Sequence, residues 1–329
     1  MSLIPVSDLI RRLSERGVEC VALQFPAGLA RQAPEVAAAL RDAGFWVIIS
    51  GDPCYGACDL ALDTLAHADV LVHFGHAPLE ERPDVIYEPV RIDFDVSVLS
   101  RALPVLESRR IGLVTTVQHV HLVSAMVAYL AEHGIEAVVA PGDRRTPLPG
   151  QVLGCNFAAA RATGRDEILF VGTGVFHPTG IQLATRSRVV ALDPFTGEAR
   201  TVDASRLVRR RAAVMAKADG AGSFGIIVST KSGQQRMALA RRLAALSDRA
   251  VLVAMREVSP AGMLDLGFGA YVNTACPRLA YDDQIRFPVP VLTPWLSSQW
   301  INVVTPVPKA IAQPLVESLR NNVVAHEHD

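Results

Sequence analysis

Apolar and polar residues in this chain follow a pattern that recurs three times. Val21-Ala22-Leu23-Gln24-Phe25, Ile111-Gly112-Leu113-Val114-Thr115-Thr116 and Gly225-Ile226-Ile227-Val228-Ser229-Thr230 are short apolar runs, each leading into a small polar loop and then a helix-period stretch. Runs of this kind followed by amphipathic helices predict parallel strands buried on both faces. In the first helical stretch Ala33, Val36, Ala37 and Leu40 share a face, and Gly44 supplies the stop. The second groups Leu122, Met126, Tyr129 and Leu130 before Gly134, and the third repeats leucine at 239, 243 and 246.

A second strand is predicted after each helix, at Trp46–Ile49, Ala137–Ala140 and Ala250–Ala254. Third strands follow at Val70–Phe74, at Ile168–Gly172 and around Tyr271–Val272. The repeating unit is strand, helix, strand, helix, strand. First strands begin at 21, 111 and 225, giving spacings of 90 (111 − 21) and 114 (225 − 111), too long for a solenoid and suited to small α/β domains. The fold expected is α/β, with three similar small domains at 1–105, 106–212 and 213–329, each a parallel sheet flanked by helices. Boundaries are expected near Leu103–Arg109 and in the arginine-rich stretch Arg206–Lys217. The tail Val324–Asp329, with His326 and His328, is expected to fray.

Composition narrows the function. Half of the 329 residues are hydrophobic and 20% are charged, enough for well-packed cores. The N-terminal residues lack the basic head and apolar run of a secretion signal, and no stretch approaches the roughly 18 apolar residues of a membrane span. A net charge of −1 argues against DNA or other broad nucleic-acid binding. Five cysteines are too few for a disulfide scaffold, so reduced thiols in a cytoplasm are expected.

Those cysteines carry the chemistry. Cys54, Cys155 and Cys276 fall one to each repeat, in loops rich in glycine or proline. Cys54 and Cys155 follow the second strand of their units, whereas Cys276 follows the third. All three are therefore expected at carboxyl edges of parallel sheets, where such folds bind ligands. Three sheets packed with those edges inward would gather the thiols at one centre, one ligand short of a fully coordinated iron–sulfur cube. Cys20 reads as a core residue, and Cys58, four residues after Cys54, as structural. Structural zinc is the non-enzymatic alternative, but it would need a fourth ligand from Cys58 or a histidine. His73, His76 and His177 stand at ends of third strands; a neutral histidine there could accept a proton, although a hydrogen-bonded loop residue is the simpler reading. Gly172-Thr173-Gly174 and Lys231-Ser232-Gly233 do not complete nucleotide-binding motifs. Asp282-Asp283 reads as an acidic surface turn, and Arg209-Arg210-Arg211 as a solvated helix face.

Leu23-Gln24-Phe25-Pro26-Ala27-Gly28-Leu29, Asp52-Pro53-Cys54-Tyr55-Gly56-Ala57-Cys58-Asp59 and Thr115-Thr116-Val117-Gln118-His119 resemble the diphthamide synthase family. So do Ser229-Thr230-Lys231-Ser232-Gly233-Gln234 and Ala275-Cys276-Pro277-Arg278-Leu279-Ala280-Tyr281-Asp282-Asp283. The matches run in order over nearly the whole chain, and one chain carrying all three cysteines looks like the archaeal, homodimeric form. The segment around Cys155 is the least distinctive, so that ligand rests more on spacing than on motif.

The resemblance implies a central 4Fe-4S cluster held by Cys54, Cys155 and Cys276, its fourth iron open to S-adenosylmethionine. An electron from the reduced cluster would break the bond from the sulfonium to the methionine γ-carbon. The resulting 3-amino-3-carboxypropyl radical would add to C2 of a histidine on translation elongation factor 2, leaving methylthioadenosine. Bond selection requires that the methionine end be gripped. Lys231 and Arg278 are the candidate carboxylate partners, while Gln24, Gln118 and Gln234, at or just after first strands, are candidate cofactor contacts. An electron donor is implied as a further partner. The alternative enzyme is a quinolinate synthase-like protein, similar in its three α/β domains and three-cysteine cluster, in which the open iron acts as a Lewis acid.

Overall fold

The computed structural model describes residues 4 and 6–293, so His326 and His328 lie outside the described residues. Three sheets are present among the described residues. The first is built from helix α1 (Val6–Glu15), strand β1 (Cys20–Gln24), α2 (Ala33–Asp42), β2 (Trp46–Ile49), β3 (Val70–Phe74) and β4 (Val85–Glu88). Its strands run in the order β2-β1-β3-β4, all parallel, with Gln24 opposite His73 at the carboxyl end of the β1–β3 ladder. Successive side chains of a strand point to opposite faces. Val21 and Leu23 therefore join Leu9 and Leu13 of α1 and Val36 and Leu40 of α2 on one side. Ala22 meets Leu60, Ala61, Leu71 and Val85 on the other.

The second sheet follows with β5 (Arg110–Thr115), α3 (Val123–Glu132), β6 (Glu136–Val138), α4 (Ala158–Ala162), β7 (Glu167–Val171), α5 (Phe176–Thr185), β8 (Arg188–Leu192) and β9 (Ala199–Thr201). Its order is β6-β5-β7-β8-β9. The third comprises α6 (Ser205–Ala218), β10 (Phe224–Ser229), α7 (Met237–Ala244), β11 (Ala250–Met255), α8 (Pro260–Leu266), β12 (Ala270–Asn273), α9 (Arg278–Tyr281) and β13 (Val291–Leu292), in the order β11-β10-β12-β13. Each sheet thus places its first strand between the second and third, with a fourth strand outside the third. The cores around β5 and β10 are separate clusters centred on Leu113, Met126 and Leu169, and on Phe224, Ile226 and Leu243.

The chain divides into two compact units. One takes 1–173 and 190–200, and so contains the first sheet and most of the second; the other takes 174–189 and the chain from Thr201, including the third sheet. The stretch Arg206–Lys217, near which a boundary was expected, forms most of α6, shortly after the division between Arg200 and Thr201. One detail differs from the sequence reading. Arg211, expected on a solvated face with Arg209 and Arg210, is 3% exposed and donates to the carbonyls of Ala280 (2.8 Å) and Val291 (2.9 Å). Its charge sits where helix, α9 and fourth strand meet, and burial lowers its pKa to about 10. The polarity of the surrounding sequence does not reveal that a single arginine of the three turns inward.

Candidate metal centre

The loop after β2 carries Cys54, which is 7% exposed. It is fastened from below by the last residue of β1. Buried Gln24 donates through Nε2 to the carbonyl of Asp59 (2.7 Å), and its Oε1 accepts from the backbone N–H of Ala61 (3.1 Å). The same Oε1 lies 2.8 Å from Nδ1 of His73, whose Nε2 is 3.0 Å from Nδ1 of His76. His73 is fully buried and His76 partly so. One ligand atom from each of Cys54, His73 and His76 lies within 4.8 Å of the other two. Between the two histidines the backbone turns at Gly75, whose φ of +85° disfavours any side chain; a Cβ there would also meet Pro26 Cγ at 3.0 Å.

Protonation follows from burial. Burial, followed by the neighbouring His76, lowers the pKa of His73 to about 3; burial lowers that of His76 to about 4, against partial compensation from the Phe74 carbonyl. Both rings are neutral at physiological pH, the form in which imidazole binds metals. The sequence reading treated these residues as hydrogen-bonded loop histidines. The hydrogen bonds are there, and the fold adds the neighbouring thiol, which sequence spacing alone does not place.

Cys155 is supported differently. Backbone around Gly150–Val152 extends the sheet beside Thr115 at the end of β5, through bonds from Thr115 N–H to Gly150 O (2.8 Å) and from Val152 N–H to Thr115 O (2.9 Å). Leu153 and Asn156 then exchange backbone hydrogen bonds, placing Gly154 and Cys155 at the tip of a tight turn. Asn156 Nδ2 donates to both carboxylate oxygens of Asp143 at 2.8 Å. Burial raises the Asp143 pKa, but donors from Asn156, Arg145 and Thr146 outweigh it and hold the carboxyl below its ordinary value.

Cys276 follows β12 and precedes α9. Asn273 shapes that turn, accepting from Ala275 N–H (2.9 Å) and donating to Cys276 O (2.7 Å). All five cysteines stand outside any disulfide. Cys20 bonds its thiol to His67 O (3.2 Å), and burial followed by Asp69 raises its pKa, which suits a structural residue. Each of the three sheets thus carries a thiol in a loop beyond its strands, and thiolate is the ligand that the irons of iron–sulfur clusters take.

The chain matches the family model described as "Putative diphthamide synthesis protein" over residues 25–297. It belongs to the diphthamide synthesis family. The 2-(3-amino-3-carboxypropyl)histidine synthase of Pyrococcus horikoshii is 38% identical over 303 residues, covering 88% of each chain. Subunit 1 of the Homo sapiens enzyme of that name is 29% identical over 310 residues, covering 88% of this chain and 70% of its own. The crystal structure of Dph2 from Pyrococcus horikoshii with a 4Fe-4S cluster superposes with a TM-score of 0.84 at 37% identity, covering 88% of both chains.

The candidate cofactor contacts occupy varied settings. Gln24 is engaged as described, and Gln118 donates to the carbonyl of Gly75 (3.0 Å). Lys231 is buried after β10, with Nζ 2.8 Å from Glu257 Oε1, and Gln234 is buried in the same turn. Arg278, exposed on α9, pairs with Asp282 (3.0 Å) and lies over the Phe176 ring at 5.5 Å. His177 beside it is lowered to about 4 by burial and then by the Arg278 charge.

Proposed function

We propose that this chain transfers the 3-amino-3-carboxypropyl group of S-adenosylmethionine to C2 of a histidine on translation elongation factor 2, using a 4Fe-4S cluster held by Cys54, Cys155 and Cys276. The observation that carries the reading is family membership together with a reduced cysteine in a loop of each of the three sheets. When bound, the cluster supplies the electron that cleaves a sulfonium carbon–sulfur bond. Overall, the new carbon–carbon bond replaces the imidazole C2–H bond, the sulfonium becomes the neutral thioether methylthioadenosine, and one proton is released.

The protein's part is positional. Gln24, Asn156 and Asn273 hold the three cysteine loops, so each thiol is presented from an ordered turn. Lys231 and Arg278 are proposed to grip the methionine carboxylate, each exchanging its present acidic partner, Glu257 or Asp282, for the ligand. Gln118 and Gln234 are proposed as further contacts. Each sheet with its helices is read as one domain around that centre. The chain is proposed to act in the cytoplasm as a homodimer that draws electrons from a separate donor; no described helix is long and apolar enough to cross a membrane.

The test is anaerobic. Cluster-reconstituted protein with dithionite, S-adenosylmethionine and archaeal elongation factor 2 is expected to yield methylthioadenosine and modified factor. Formation of 5′-deoxyadenosine, or no cleavage with the cluster intact, would overturn the proposed bond selectivity. Supplying iminoaspartate and dihydroxyacetone phosphate checks the quinolinate synthase alternative, for which no observation on this fold speaks.

A further inference from the structure

The sheets can be aligned by their ladders. Val21 pairs with Val70 and Gln24 with His73 in the first; Phe224 pairs with Ala270 and Ile227 with Asn273 in the third. Counting from these pairs, His73 is equivalent to Asn273 and His76 to Cys276. The corresponding residue of the second sheet, from Thr115 opposite Val171, is Gly174. Each sheet therefore has two loop positions that can present a ligand, one after its second strand and one after its third. The second sheet fills the first of these with Cys155, and the third sheet fills the second with Cys276. The first sheet has a thiol or imidazole at both, Cys54 and His76, with His73 beside them, and among the described residues these three lie close enough to share an ion.

We propose that Cys54, His73 and His76 form a mononuclear site for a zinc-class divalent cation in the cluster-free chain. The Gln24 amide orientation is set by its bonds to Asp59 O and Ala61 N–H, so its Oε1 must accept from Nδ1–H of His73. His73 then presents a bare Nε2 away from Gln24, the arrangement in which a metal-binding imidazole donates its other N–H to an oxygen. In the metal-free chain that lone pair accepts from His76 Nδ1–H. One thiolate and two neutral imidazoles suit zinc, with a fourth position left for water or another small ligand. Binding converts the Cys54 thiol to thiolate and releases one proton. Among the described residues, this is the group of histidine, cysteine or acidic side chains close enough to hold an ion.

The ion and the cluster would share Cys54, so occupancy by one excludes the other; that consequence, unlike the site itself, rests on the proposed cluster ligation. The test uses cobalt(II) as a coloured stand-in for zinc, titrated anaerobically into full-length, cluster-free protein. One equivalent is expected to produce thiolate-to-cobalt charge transfer and the visible absorption of a four-coordinate ion, both erased by zinc. His76→Ala, at a partly exposed position, is expected to weaken binding at least about tenfold. Cys54→Ser should remove the charge-transfer band, and Cys276→Ser should leave the cobalt spectrum unchanged while preventing cluster reconstitution. Absence of a one-to-one thiolate complex, wild-type affinity in His76→Ala, or loss of the spectrum in Cys276→Ser would overturn the site. A Cys276→Ser protein that takes up a normal cluster would instead count against the ligand set proposed above.

Discussion

The first and third sheets share one strand order yet solve the same two problems with different chemistry. At the carboxyl edge, the first sheet braces its loop with a side chain from the central strand, Gln24, and surrounds Cys54 with imidazoles. The third braces Cys276 with Asn273, a residue of its own strand end, through one local turn. The helix preceding the first strand also ties down the fourth strand in both. In the first sheet Arg12 of α1 pairs with Glu88 of β4, an ion pair of partly exposed groups. In the third, Arg211 of α6 reaches Val291 of β13 as a buried cation on carbonyl oxygens. Repetition of the fold has preserved where a tie is made, not which atoms make it.

The comparison can be broken hardest at the thiols. Serine at Cys54 or Cys276 is expected to abolish cluster absorbance after reconstitution, and Cys155→Ala to abolish or severely alter its electron paramagnetic resonance signal. Normal activity in the Cys155 variant would remove that residue from the ligand set. Next come the braces. Gln24→Leu leaves Asp59 O, Ala61 N–H and His73 Nδ1–H without their partner in a buried setting, expected to destabilise by about 2–4 kcal/mol in urea unfolding. Asn273→Ala, whose turn keeps more backbone support, should lose about 1–2 kcal/mol. Equal losses would show that the two braces are energetically interchangeable.

The helix ties give a smaller contrast. Arg211→Met strips two buried carbonyls of a charged donor and should lose about 2–3 kcal/mol, whereas Arg12→Met should lose about 1 kcal/mol. The reverse ranking by thermal melting would sink the distinction between buried and partly exposed ties.

A last effect concerns acid. His177 takes up a proton near 6.5 when unfolded but only near 4 when folded. Between those values the unfolded chain binds more protons, so stability falls as pH drops from about 6.5 towards 4, by at most about 1.4 kcal/mol per pH unit from this residue. Arg278→Ala removes the repelling charge, so the folded His177 pKa should rise and the acid loss shrink. A side-chain NMR titration showing the same pKa in both proteins would rule out that coupling.

Much of this was legible in the sequence. The runs at Val21, Ile111 and Gly225 became β1, β5 and β10 because both faces of each are covered, and continuous apolarity records that directly. The second strands also fell close to their expected positions, although β6 is shorter, Glu136–Val138. The fourth strands were not picked out from the sequence; β13, with two residues, is too short for a periodic pattern. Nor did the closeness of Cys54 to His73 and His76. It arises from the register of β1 with β3 and from the path of the loop after β2, neither of which composition encodes. The repeat still held a usable clue, since His76 occupies the place in its sheet that Cys276 occupies in another.

Gln24 has one more consequence. The Ala61 amide is protected by a side chain and not by a neighbouring strand or helical turn. Its deuterium exchange therefore reports whether that single carboxamide is seated, even in protein carrying no metal. A slow Ala61 proton would mark a loop already organised before loading, and a fast one would mark a loop that still has to be ordered, providing an observable for preorganisation that needs neither cofactor nor substrate.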